Sequence, residues 1–325
     1  DWQSVMANKE KVLFVSEECA DMFLHQAVLQ YQFIQIFKFI KMFHKRLILI
    51  FTIFVLFFAA CDKIEGPYML GNSNGNDTSQ TIQQYVFVEY FTGHRCPNCP
   101  TAGNQLKILK DMYKERLIYI SVHAGSFALP MGQNYSQTDY RTTIGNDLDS
   151  YFQVTSVSTP NGLINRKQFN NDRVIPPSSW SSMIAEELSQ TPRIHIDIMQ
   201  AVIENNTAKV RTKANILAEL DGIYMTSMYI VEDSIQSYQK NSNVQVGPVP
   251  DIPDYMHRYV LRGSMNGTWG DTLCTGSLSQ GQSFEREFSM NLVSEWNVNR
   301  LYVVCFIYNK HTDEVVQVGM KRFVK

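Results

Sequence analysis

The sequence carries no excess of charge of either sign. Its 29 Lys and Arg stand against 31 Asp and Glu, for a net charge of −2. Nucleic-acid binders usually show a basic footprint, so composition gives no support to such a partner. No P-loop or glycine-rich dinucleotide pattern is present, so the sequence offers no motif for nucleotide chemistry. There is no H-x-x-x-H and no second C-x-x-C, which argues against a structural zinc module. His195 and His257 sit in strand-like runs with no nucleophile pattern nearby and read as structural. No apolar run reaches the roughly 20 residues that a membrane-spanning helix needs.

The longest apolar run is Leu47 to Ala60, 14 residues. It follows Met42 and the basic stretch His44, Lys45 and Arg46, and ends Phe58-Ala59-Ala60-Cys61. A basic start, a short apolar centre and small residues at the end describe a secretory signal peptide over 42–60. The closing cysteine resembles a bacterial lipobox, which implies acylation of Cys61 and cleavage before it. The expectation is that Met42 is the start and that residues 1–41 are an upstream extension outside the native protein. Residues 61–84, rich in Gly, Asn, Ser and Thr, read as a lipidated tether.

Past residue 84 the pattern divides in two. YVFVEYFT (85–92) reads as a buried strand, residues 101–116 as a helix and LIYISVHA (117–124) as a second strand, a βαβ unit with a parallel pair. A polar loop (125–141), a short helix (142–152), a short strand after Thr159-Pro160 and a helix ending before Pro192 follow. From residue 193 about seven strands with turn signals predict an antiparallel β-sandwich. The fold class is therefore an α/β thioredoxin-like domain over 85–192, followed by an all-β, immunoglobulin-like domain over 193–325.

Between the first strand and helix lies FTGHRCPNCP (91–100), with Cys96 and Cys99 in C-x-x-C spacing. A cysteine at a helix N-terminus faces unpaired N–H groups and the positive end of the dipole, which favour the thiolate. On this reading Cys96 attacks, Cys99 resolves the mixed disulfide, and Arg95 biases the thiolate. Pro160 is the candidate cis-proline facing the loop, and Glu89 the acid that moves a proton to or from the second cysteine. A static Cys96–Cys99 disulfide is the rival reading. A soft-metal site from the two thiolates with His94 or His123 is a third, weaker one. Cys274 and Cys305 read either as a disulfide or as two buried thiols.

The T-G-H-x-C-x-N-C-P core, with STPNGLINR, RYVLRGSMNGTWGD and LYVVCFIYNKHTDEVVQV, resembles the outer membrane protein 28-like lipoproteins of Bacteroidetes. The resemblance spans residues 61–325. It implies a thioredoxin-like domain and a β-rich domain on a lipid anchor in the outer membrane, facing the periplasm or the cell surface, and its cysteine pair matches Cys96 and Cys99. Two functions follow as expectations: thiol–disulfide exchange with exported proteins, or a non-catalytic envelope or adhesion role with a structural disulfide. The partners expected are the membrane, through the anchor, and an exported or surface protein, with a homodimer left open. No cofactor is expected.

Overall fold

The computed structural model describes residues 82–130, 132 and 139–325. The expectations for residues 1–41, the signal segment, Cys61 and the tether up to residue 81 lie outside them. Among the described residues no helix is long and apolar enough to cross a membrane.

Strand β1 (Val86–Thr92) and strand β2 (Leu117–His123) run parallel, joined by helix α1 (Cys99–Tyr113). Every residue of both strands is buried, as expected where helices or further layers cover both faces of a sheet. Helix α1 turns Ala102, Leu106 and Leu109 inward at helical spacing, while Met112, placed on the same face by the sequence pattern, is exposed. Helices α2 (Thr143–Phe152) and α3 (Val154–Val157) lead to β3 (Asn161–Ile164), which pairs antiparallel with the other edge of β1. The Thr142 hydroxyl caps α2 by accepting from the Gly145 amide. Helix α4 (Pro177–Leu188) packs beneath, with Trp180 fully buried against Tyr90.

Ten strands follow residue 192: β4 (Ile194–Glu204), β5 (Thr207–Ile216), β6 (Ile223–Glu232), β7 (Ile235–Lys240), β8 (Asp251–His257), β9 (Val260–Ser264), β10 (Asp271–Thr275), β11 (Ser283–Asn291), β12 (Leu301–Asn309) and β13 (Val315–Arg322). Strands β11-β5-β4 form one sheet. It faces β6 and β12 across an apolar layer that includes Ile198, Val210, Ile230 and Val303. Two facing sheets therefore do form, but the second one is not confined to the C-terminal half.

That sheet runs β13-β12-β6-β9-β2-β1-β3, so strands from both sides of Pro192 share it. The join is made where the Ser121 amide donates to the Tyr259 carbonyl at 2.9 Å and Ser121 pairs with Val260. One core cluster contains Phe87 and Leu163 from before residue 192 and Tyr229 and Phe306 from after it. The described residues form one compact unit. Cys274 and Cys305 are buried thiols and not a disulfide. Burial pushes the Cys305 thiol up to about 12.

Candidate functional site

The cysteine loop leaves the C-terminal end of β1 and turns into α1. Gly93 is required here because an added Cβ would lie 2.3 Å from the Phe127 carbonyl carbon. That close approach lets the Arg95 amide donate to the Phe127 carbonyl at 2.9 Å. The Cys96 amide donates to the Gly93 carbonyl at 3.1 Å and the Cys99 amide to the Cys96 carbonyl at 3.3 Å, closing the turn. Cys96 and Cys99 form a disulfide with Cα atoms 5.4 Å apart. Helix α1 begins at Cys99, so Cys96 stands in the turn before it, with Pro100 in the first helical turn. The Arg95 side chain points to an exposed position, and with the sulfurs joined there is no thiolate for it to bias.

The disulfide is covered. Both cysteines are 1% exposed and belong to an apolar cluster with Val88, Tyr90, Ala102 and Trp180. The cover is the β7–β8 hairpin, a segment in which the sequence shows no strand period. The buried Gln239 carboxamide donates to the Gly93 carbonyl at 3.1 Å and to the Cys96 carbonyl at 2.9 Å. The Lys240 amide donates to the His94 carbonyl at 2.8 Å, and the Ser242 amide to the Pro97 carbonyl at 2.9 Å. The Ser242 hydroxyl adds a bond to the Asn98 side chain at 2.8 Å. The carbonyls of Gly93, His94, Cys96 and Pro97 are thus taken by Gln239, Lys240 and Ser242 above them. From below, the Tyr90 hydroxyl donates to the Cys99 carbonyl at 2.7 Å.

Pro160 follows a cis peptide bond. The next residue, Asn161, pairs with Phe91, so Pro160 lies at the end of the sheet from which the cysteine loop departs.

Glu89 is not beside the cysteines. Side chains alternate along β1: Val88 and Tyr90 face the disulfide cluster, while Phe87 and Phe91 face the opposite core. Glu89 falls on the Phe87 face, fully buried. Its carboxylate accepts two bonds from Arg166, at 2.7 Å from Nε and 2.6 Å from Nη2. The guanidinium lies 4.9 Å from the Phe306 ring centroid and 5.3 Å from that of Phe152. Burial opposes the Arg166 charge, and Glu89 more than offsets it, so its pKa stands above the ordinary value. The proton-transfer role expected of Glu89 does not fit this placement.

Beside the loop, three histidines that the sequence keeps far apart meet: His94 in the loop, His123 at the end of β2 and His257 at the end of β8. Tyr140 and Tyr255 pack against them, with Tyr140 stacked on His94 at 4.8 Å and Tyr255 edge-on to His257 at 4.9 Å. Burial, then the neighbouring His257, His94 and Arg262, hold His123 well below its ordinary pKa. Burial and His94 push His257 down to about 3. Both are neutral near pH 7. Nothing in the strand-like run at His257 marks it as a neighbour of His94 and His123, which lie more than a hundred residues earlier.

No curated protein matches the sequence. Among solved structures, one match is a domain of the outer membrane lipoprotein Omp28 from Porphyromonas gingivalis. It is 18% identical, covering 41% of this chain and 90% of that one, with a TM-score of 0.29. A second is a protein from Agrobacterium tumefaciens, 13% identical over 74% of this chain and 94% of that one, with a TM-score of 0.44. The sequence profile of Outer membrane protein Omp28 matches residues 145–324, more than half of the 325 residues, and the chain belongs to that family.

Proposed function

We propose that this chain is a non-catalytic outer-membrane lipoprotein of the cell envelope, anchored through Cys61, in which Cys96–Cys99 is a structural disulfide. Its first layer is thioredoxin-like in plan: a parallel β1–α1–β2 unit, β3 antiparallel on the far side of β1, and the cysteine pair where β1 passes into α1. The observation that carries the proposal is the cover over that pair. An exchange site must let a foreign sulfur approach in line with the disulfide. Here both cysteines are 1% exposed, and Gln239, Lys240 and Ser242 bond to the backbone of their loop. The exposed strands beyond residue 192 are then left for an exported or surface protein partner.

Thiol–disulfide exchange is the second reading, favoured by the position of Cys99 at the N-terminus of a 15-residue helix. A trapping experiment separates the two. In a Cys99→Ser chain Cys96 has no resolving partner, so an exchange enzyme accumulates mixed disulfides with exported proteins. The structural reading predicts none, together with no insulin-type reductase activity in the unaltered chain. Mixed disulfides specific to Cys96 would reverse the order of the readings.

A further inference from the structure

The ring centroids of His94, His123 and His257 are 5.3, 5.3 and 5.5 Å apart, and the three residues are at most 3% exposed. Buried polar groups are costly unless bonded. Yet neither ring nitrogen of His123, nor Nε2 of His257, has a hydrogen-bond partner. The Ser121 backbone gives His123 an electrostatic contact but no hydrogen bond of ordinary geometry. His94 presents Nδ1 to the Tyr238 carbonyl at 3.3 Å, and the Tyr238 backbone also supports His257. A backbone carbonyl holding one nitrogen is the usual support of an imidazole whose other nitrogen binds a metal.

We propose that His94, His123 and His257 together bind one zinc-class divalent cation. Three imidazoles held at about 2.0–2.1 Å from a tetrahedral ion have ring centroids about 5 Å apart, close to the spacing of these three. Imidazole is a good ligand for zinc and its neighbours in the first transition row. Among the described residues no group of three or more His, Cys, Asp or Glu side chains could hold a metal ion as they stand, so binding requires the three rings to turn. The terminal torsion of histidine is broad, and no hydrogen bond fixes the ring of His123. The cysteines take no part, because their sulfurs are joined to each other. The cation joins three elements, the cysteine loop, β2 and β8, and so pins the cover over the disulfide. The fourth position is left to water or a small anion.

The test uses the full chain, freed of metal by chelator with its disulfide intact, and titrated with Co²⁺ and then Zn²⁺. The expected result is uptake of one Co²⁺ per chain, with the visible bands of a four-coordinate nitrogen site, and displacement by Zn²⁺. His123→Gln and His257→Gln each lose equimolar uptake, while His195→Gln on β4 keeps it. An unaltered chain that takes up no equimolar cation overturns the proposal without reference to any variant. So does uptake that survives both substitutions, or that is lost equally with His195→Gln.

Discussion

Glu89 and Arg166 show how one residue of offset changes a role. The sequence places an acid on the strand that enters the cysteine loop, and it is there. A strand alternates its faces, so an acid between Val88 and Tyr90 lies on the side of the sheet away from the cysteines. There it forms a fully buried, two-point pair with Arg166, roofed by aromatic rings from β12. Removing one partner of such a pair strands a charge and costs about 3–5 kcal/mol, whereas replacing both by apolar residues is often near neutral. Glu89→Gln is therefore expected to lower the urea-unfolding free energy by about 3–5 kcal/mol, and Glu89→Leu with Arg166→Met to recover most of it. A loss under about 1 kcal/mol in the single variant would show that the pair is not an obligatory part of this core.

At the scale of elements, regular periods were legible and irregular ones were not. β1, α1 and β2 announce themselves by apolar spacing, and β4 by alternation. The β7–β8 hairpin does not. Its burial follows no period of two, Pro253 lies within β8, and its register shifts between Ser237 and Gln239. Its inward residues Gln239 and Asn241 are polar: Gln239 meets the backbone of the cysteine loop, and Asn241 the carbonyls of Asn243, Gly247 and Pro248 in the hairpin's own turn. This is why the candidate site was half visible: the cysteines stand out in one line of sequence, while their cover lies more than a hundred residues on. Gln239→Leu removes the bonds to the Gly93 and Cys96 carbonyls, a cost of about 1–3 kcal/mol. The variant should let a small thiol reductant open Cys96–Cys99 roughly ten-fold faster, as read by timed alkylation and mass mapping. An unchanged rate would mean that the hairpin does not limit access.

For the whole molecule, the texture of the sequence changes near Pro192, but the sheet does not stop there. A change of composition marks where the chain leaves its helices; it carries no information on which strands will pair. Here β2 and β9 meet in parallel, a pairing that local patterns cannot reveal, and the strands on either side contribute to one core. A chain ended at Pro192 would expose Phe87 and Leu163 and leave Glu89 and Arg166 without their aromatic roof. Residues 82–192 alone are expected to lack a cooperative unfolding transition, while residues 82–325 unfold in a single step by circular dichroism and by fluorescence. A stable, cooperative 82–192 fragment would contradict the continuity of the core.

On the proposed function, Cys96–Cys99 is a covered, structural disulfide. The most direct measurement is its rate of reduction by glutathione in the native chain, set against the rate in the same chain unfolded in urea. If access requires the hairpin to lift, at a local opening cost of about 3 kcal/mol, native reduction should be on the order of 100-fold slower than in the unfolded chain. A native rate equal to or faster than the unfolded one would contradict the claim and identify the pair as an exchange site.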